Sequence, residues 1–565
     1  MNILFYLEPH PIRERMDSFN WIGRTLIKMI EDQFFIGGAQ NAEIKILASK
    51  DAQKGLLKEF PGCDCLLSLS PEDENYVRKL NKKWNDDAID IWRQLMRGEG
   101  DISNRYRAIL EHIKYSTFDF QYIVYWGTNG AVQAFAKEHG IVPIAMEQGV
   151  TRTPFIESIC MDPLGVNGES FTPLTDLDSV EPLPLSVLQR CAIADVSHGQ
   201  EFDALYRPLT TKHAEDIMDG VGRNILIPLQ LDDDANILEH SDVGNMLDFL
   251  QQVIPQLVKV GYRCLVKPHP GALFRDYNVV RHEMCRTYVE NQKGAFWIDG
   301  IDNREDYLCL IGKSEAVVVV NSSLGFEAML MGCPVIPFGK APYVFKNSPL
   351  TFSDVLSKKI NYESWQLHAE KVGTLLLFNY LIPKSKAFSY QFFCASVARC
   401  ERIYNSRITV DEEITGVGHT EPINSINELY ACNNGLPKVK AILEGEKTKR
   451  IDPGIPKALL ELVFPRKNNE ELSISHLLKL KGKELVVSGY WHILNRYPDP
   501  DGMANYLPQV RSGALAPASF LLRLRLSPEG RVFRKNCRGL LSAFITSALC
   551  HTFCRAKKDK ESENL

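Results

Sequence analysis

Three carboxylates follow one another directly, Asp232, Asp233 and Asp234, in the stretch "LIPLQLDDDANILEHSD" (226–242), with no Lys or Arg close by in the chain. Adjacent like charges repel, so the cluster calls for a reason. Three chemistries suit the residue type. The aspartates can be solvated turn formers and helix-cap acceptors. Asp232 and Asp234 can form a DxD-type site holding Mg²⁺ against a diphosphate. One of them can be a carboxylate nucleophile with a spare acid beside it. The loop from Leu231 to Ser241 is about ten residues long, against ~2–6 for an ordinary strand-to-helix connection, and extra length at a strand's carboxyl end is where function concentrates.

Two further runs carry anion chemistry. In "KPHP" (267–270), His269 lies between two prolines that restrict its backbone, and with Lys267 it can donate to a phosphate; a histidine that only ends a strand and bonds a loop carbonyl is the plain alternative. In "VVVVNSSLGFEAMLMGCPVI" (317–336), four valines give a buried strand, Asn321, Ser322 and Ser323 a turn, and the following residues a helix. Hydroxyls and orphan backbone N–H groups at a helix N-terminus favour an anion, although the same serines can simply cap the helix. Glu327, one turn into that helix, can accept from ribose hydroxyls. This is neither a Walker loop nor a GxGxxG pattern. A possible facing wall is "MEQGVTRTPFIES" (146–158). There Glu147 and Gln148 end a strand, Gly149 permits close backbone approach, and Arg152 and Glu157 follow in a loop that is otherwise a salt-bridged connection. "WGTNGA" (126–131) is another strand-to-helix junction, suited to a sugar or only a tight turn.

These junctions need strands to hold them. Apolar runs at 2–8, 43–49, 63–70, 120–126 and 142–148 read as buried strands, with amphipathic helices near 15–33, 73–97, 103–114 and 129–139 between them. A second series of strands reads at 224–231, 263–270, 295–300, 316–323 and 333–339, with a helix over 241–261 capped by Ser241 and stopped by Gly261. Alternation of this kind predicts two doubly wound parallel sheets in tandem, an α/β fold, with ligands at the carboxyl ends of strands and in the cleft between the sheets. A helix over 383–405 is expected to cross back to the first domain.

Composition bounds the rest. A chain of 565 residues, 45% hydrophobic and 24% charged, is a globular protein, and its length suggests roughly two to four domains. The formal net charge of −5 offers no general electrostatics for nucleic acid. "MNILFYLEPHPIRERM" lacks the layout of a secretory signal, and no apolar run approaches the ~18–20 residues of a membrane span. The 14 cysteines are scattered among apolar residues, and only "CDC" (63–65) is tightly spaced, without a partner pair for zinc. A reduced, cytosolic chain is expected.

Taken in order, "QLDDDAN", "KPHP" and "NSSLGFEAMLMGCPVI" resemble the bacterial retaining β-Kdo glycosyltransferases of lipopolysaccharide O-antigen and capsule synthesis, of the WbbB type and related to capsule KpsC enzymes, over roughly residues 1–400. The resemblance implies the GT-B arrangement of two Rossmann-like domains and CMP-β-Kdo as donor. It implies contacts from His269, Ser322 and Ser323 to the CMP phosphate, with Lys267 assisting, and from Glu327 to the ribose. It matches Asp232 to the family's nucleophile in a double displacement. Glu157, and second Glu147, are candidates for the general base, and Arg152 for the Kdo carboxylate. Capsule relatives carry an acid where this chain has Gln148, which leaves the role of "EQG" open. The leaving group is a monophosphate, so neither a metal nor another cofactor is expected. Retention by two inversions, with charge on the leaving phosphate stabilised by His269 and the helix terminus, is coherent chemistry. Alternatives are a CMP-sialic-acid-type GT-B transferase, a nucleotide-sugar epimerase or hydrolase, and an inactive binding scaffold.

The expected organisation is therefore an acceptor-side domain at 1–215, a CMP-sugar domain at 216–405, a polar Gly/Pro-rich linker at 406–455 and an α-helical accessory module at 456–565. Within the module, residues 490–533 resemble a widespread small helical domain of unknown function through Arg496, Pro498, Asp499, Gly502, Tyr506 and Ser527 to Glu529. This reads as a partner or glycan module, and no EF-hand spacing accompanies its "DPDG". The stretch 539–560, apolar and then basic, suits either a membrane surface or a packed terminal helix. Expected partners are CMP-Kdo, a glycan acceptor that is lipid-linked, and the inner face of the inner membrane or polysaccharide-assembly proteins.

Overall fold

The computed structural model describes residues 1–7, 19–36, 42–80, 84–152, 155–192, 223–301, 304–408, 472–473, 477–494, 500–527, 537–538 and 540. Two units follow one another, Met1–Asn433 and Asn434–Leu565.

The first unit holds two α/β halves. In the first half, strands β1 (Asn2–Tyr6), β2 (Glu43–Ala48), β3 (Leu66–Ser68), β4 (Tyr122–Trp126) and β5 (Val142–Gln148) are parallel. Two antiparallel strands extend the sheet, β6 (Ser158–Asp162) and, from far along the chain, β12 (Ile382–Pro383), giving the order β12-β6-β5-β4-β1-β2-β3. In the second half, β7 (Arg223–Pro228), β8 (Tyr262–Lys267), β9 (Ala295–Trp297), β10 (Ala316–Val319) and β11 (Val335–Pro337) form an all-parallel sheet in the order β11-β10-β7-β8-β9. Strands of this second sheet such as Ala316–Val319 are buried along their whole length, as a sheet covered on both faces requires. This is α/β architecture with two Rossmann-like halves, the GT-B arrangement.

In each sheet the chain order reverses at one place, between β1 and β4 and between β7 and β10. There the helices on either side diverge and leave a crevice beyond the strand ends. In the second half the crevice is braced by two buried amides: Gln230 Nε2 donates to Asn321 Oδ1 at 2.9 Å, and the Asn321 backbone N–H donates back to Gln230 Oε1 at 3.1 Å.

Local details differ from the sequence expectation in instructive ways. The helix expected over 241–261 runs Met246–Lys259 with Asn245 as its cap, because the Ser241 hydroxyl donates to the carbonyl oxygens of Ile237 and Val243 instead. The amphipathic stretch 73–97 is two helices, Pro71–Leu80 and Asp86–Arg97, the second restarted by an Asn85 cap. The helix Tyr390–Ile408 returns to the first half, where Phe393, Val397 and Cys400 join its core beneath β5 and β6. A boundary at 405 therefore groups with the second half a segment, from Ile382 on, that packs on the first sheet.

In the second unit, helices Gly482–Leu494, Pro500–Arg511 and Pro517–Leu526 enclose a small core of Leu485, Val486, Ile493, Phe520 and Leu521. Tyr506 packs edge-on against Phe520 with ring centroids 5.1 Å apart. Arg496, Pro498, Asp499 and Glu529, most of the linker at 406–455 and most of 539–560 lie outside the described residues. No helix among the described residues is long and apolar enough to cross a membrane.

Candidate active site

A cavity of about 490 Å³ opens at the carboxyl ends of the second sheet. Pro228 and Leu229 at the end of β7, Lys267 to Pro270 at the end of β8, Trp297 to Ile301 at the end of β9, and Ser322 and Ser323 after β10 line it together with Tyr307 and Glu327. Arg152, from the β5–β6 loop of the first half, completes the lining. Six sequence candidates thus meet around one space: Arg152, Lys267, His269, Ser322, Ser323 and Glu327.

The floor gathers groups that can donate to a negative charge. Ser322 caps the Ser323–Leu330 helix, its Oγ accepting from the Leu324 N–H at 3.3 Å, and its carbonyl oxygen takes the Gly325 N–H at 2.9 Å. The Ser323 N–H and hydroxyl remain at the helix terminus, where the dipole favours an anion. His269 Nδ1 accepts the Gly271 N–H at 2.9 Å, so the proton of a neutral imidazole resides on Nε2, which makes that nitrogen a donor. The His269 backbone N–H donates to His282 Nε2 at 3.3 Å. Burial, and next the nearby His269, depress the His282 imidazole to about 4 and keep it neutral. Lys267 Nζ lies 5.8 Å from the centre of the Tyr307 ring.

Glu327 is 3% exposed, and both its oxygens have partners. Oε1 accepts the Arg152 backbone N–H at 2.9 Å and Oε2 accepts the Tyr307 hydroxyl at 2.6 Å. A carboxylate oxygen accepts more than one donor, so a ribose contact is compatible with both bonds. The Arg152 guanidinium donates to the carbonyl oxygens of Gly149 and Thr151, bracing its own loop. Gly149 is there because a Cβ would lie 2.2 Å from Ser158 Oγ.

The three aspartates do not converge on one point. Asp234 caps the short Ala235–Leu238 helix. Asp233 is fully buried and accepts from Trp84 Nε1 at 2.8 Å, Asn278 Nδ2 at 2.9 Å and the Arg275 guanidinium. Asp232, 5% exposed, accepts the Met246 N–H at 2.7 Å at the start of the next helix. Burial raises its carboxyl to about 6; the Met246 N–H and Arg281, whose Nε is 3.8 Å from Oδ2, oppose that rise. Asp232 and Arg281 are not among the residues that line the cavity; Leu229, three positions before Asp232, does line it, and the Asp276–Glu290 helix that carries Arg281 supplies Val279, His282, Glu283 and Arg286.

Three candidates of the first half stand outside the lining. Glu147 Oε1 accepts the Gln148 N–H at 2.8 Å, the Gln148 side chain is exposed, and Glu157 pairs with Lys384 Nζ at 3.0 Å while half exposed. Sequence reasoning missed Arg281, Tyr307, His282, Arg275, Asn278 and Trp84. None carries a local signal, since each acts on a residue distant in the chain.

The family model described as "Capsule polysaccharide biosynthesis protein" matches residues 185–354, the segment that carries Asp232, Lys267, His269, Ser322, Ser323 and Glu327. The chain is similar to the "Capsule polysaccharide modification protein LipA" of Neisseria meningitidis serogroup A, 26% identical over 278 residues, which are 46% of this chain and 37% of that protein. The serogroup B protein of the same description matches at the same identity and coverage. The chain spans just over a third of the length of these curated relatives. Among solved structures, Thermosulfurimonas dismutans KpsC described as a "beta Kdo 2,7 transferase" is 16% identical, covering 57% of this chain and 89% of that one at a TM-score of 0.27. The structure of the same protein described as a "beta Kdo 2,4 transferase" is 17% identical, covering 45% and 79% at a TM-score of 0.28.

Proposed function

We propose that this chain is a retaining glycosyltransferase that moves Kdo from CMP-β-Kdo to a glycan acceptor in O-antigen or capsule synthesis, by double displacement through Asp232. The observation that carries the reading is the meeting of His269, Lys267, the Ser322–Ser323 helix terminus and Glu327 around one cavity at the β7/β10 switch point. That set suits a nucleoside monophosphate: donors at one end, a carboxylate for ribose hydroxyls at the other. The match of residues 185–354 to capsule polysaccharide biosynthesis proteins supports the pathway class.

In the first step an Asp232 oxygen forms a bond to C2 of Kdo. The C2–O bond to phosphate breaks, and its electron pair leaves with CMP. His269 Nε2–H and the Ser323 N–H stabilise the charge that grows on the departing phosphate. In the second step the acceptor oxygen attacks C2, the bond to Asp232 breaks, and the acceptor proton passes to a carboxylate of the first half. Glu147, at the carboxyl end of β5, is proposed for this role ahead of Glu157, which Lys384 engages. The reaction requires the Asp232 carboxylate to turn from the Met246 N–H toward the donor. A lipid-linked acceptor would put the enzyme at the inner face of the inner membrane.

The test is incubation with CMP-Kdo alone, followed by intact mass and peptide mapping. A Kdo-sized addition on the peptide containing Asp232, absent in Asp232→Ala, is expected. Unimpaired transfer by Asp232→Ala would sink the double displacement, and failure of the wild-type chain to bind or consume CMP-Kdo would sink the donor assignment.

A further inference from the structure

We infer that Arg281 is the residue that receives the carboxylate of the donor sugar, and so selects a 2-keto sugar acid over a neutral sugar. The inference rests on the reading of Asp232 as the nucleophile.

The first ground is position. A sugar carbon attacked by Asp232 that itself bears a carboxylate must bring that carboxylate within a few ångströms of the attacking oxygen, because the two share one carbon. A cation that reads it has to stand beside Asp232. Arg281 does, with Nε 3.8 Å from Asp232 Oδ2.

The second ground is donor capacity. A guanidinium carries five N–H donors, and each polar contact of this one is long. Nη2 lies 3.4 Å from Asp86 Oδ1, Nη1 lies 3.5 Å from the Tyr277 carbonyl oxygen, and Nε is 3.8 Å from Asp232. Charge-assisted bonds to carboxylates are ordinarily ~2.7–2.9 Å, so the group is near its partners without being closed around any of them. Its place is set instead by stacking, with the guanidinium carbon 3.5 Å from the centre of the Tyr277 ring. A stacked, planar, one-third-exposed guanidinium can take a carboxylate through two parallel N–H donors without first leaving a tight pair.

The third ground is the seam between the halves. Asp86 belongs to the first half and Arg281 to the second, and Trp84 with Trp92 packs beside Tyr277 and Leu238 in a small apolar cluster there. Arg281 therefore stands at the seam where the two halves meet. Arg152 is the less suitable reader of the carboxylate, since its guanidinium braces the Gly149 and Thr151 carbonyl oxygens and its backbone is tied to Glu327.

The experiment compares wild type, Arg281→Gln and Arg281→Lys in the full chain, with two probes. CMP lacks the carboxylate and CMP-Kdo carries it. Arg281→Gln is expected to raise the KM for CMP-Kdo roughly ten- to a hundredfold, the worth of a charged hydrogen-bonded pair. Inhibition by CMP should stay unchanged, which also shows that the variant is folded. Arg281→Lys should recover part of the loss, because charge survives and the bidentate fork does not. An unchanged KM in Arg281→Gln overturns the assignment, and so does an equal weakening of CMP and CMP-Kdo, which marks a structural role. If wild type binds CMP but neither binds nor consumes CMP-Kdo, the donor assignment and this inference fall together; the other two outcomes strike Arg281 alone.

Discussion

The backbone N–H of Arg152 donates to Glu327 Oε1 at 2.9 Å, so a loop of the first half is bound to a helix of the second at the edge of the cavity. The acceptor is a carboxylate inside a helix, 3% exposed, that also takes the Tyr307 hydroxyl. Glu327→Ala removes the acceptor of both bonds and should cost about 1–3 kcal/mol of stability. Glu327→Gln keeps one acceptor oxygen and should cost less. Urea denaturation of the two variants checks the order.

Asp233 and Asp232 should separate cleanly. Asp233 is enclosed by Arg275, Asn278 and Trp84, so Asp233→Ala takes the carboxylate away from a mostly buried guanidinium and two buried donors and should lower stability by about 3–5 kcal/mol. Asp233→Asn should fall between that and wild type. Asp232→Ala should cost less stability and abolish the covalent adduct, as read by denaturation and mass spectrometry on the same preparations.

The raised Asp232 carboxyl has a sign that can be tested without substrate. Its ordinary value is 3.8 and its folded value about 6, so between these the folded chain holds a proton that the unfolded chain has lost. Stability from this group is full below pH ~4 and is lost as pH rises through ~6. Asp232→Asn, which keeps an acceptor for the Met246 N–H, removes that loss. Its stability relative to wild type should climb between pH 4 and 6 and level off above. A flat difference across that window would show that burial does not shift this carboxyl. In the proposed chemistry the nucleophile must be ionised, so adduct formation should decline below about pH 6.

The two serines should divide their effects. Ser322→Ala removes the cap and should cost about 1 kcal/mol. Ser323→Ala removes no cap, so its stability should be near wild type while CMP affinity falls. Thermal shift in the absence and presence of CMP distinguishes the two.

Gly149→Ala places a methyl 2.2 Å from Ser158 Oγ and 2.8 Å from a Leu381 methyl. Ser158 is buried and bonded to Thr151 at 2.6 Å, so it cannot simply swing away. A loss of about 1–3 kcal/mol is expected, with weaker CMP-Kdo binding because the same loop carries Arg152.

The sequence by itself determined the strands of both sheets that run parallel, because a strand covered on both faces must be apolar along its length, and "NILFY" and "AVVV" have no other way to be buried. It also determined the group of donors at the cavity floor, since "KPHP" and "NSS" need only a strand end and the helix start beside it. The antiparallel β6 and the two-residue β12 were not legible: β12 pairs with β6 from more than two hundred positions along the chain and has no pattern of its own. The aspartate run shows the limit most clearly. Three identical neighbours read as one feature, yet the tertiary structure gives Asp232 to Met246 and Arg281, Asp233 to Trp84, Arg275 and Asn278, and Asp234 to its own turn. Only Asp234 acts within its own turn. The other partners are brought up by packing of separate elements, and residue type and spacing do not encode which buried donor will arrive beside which acceptor.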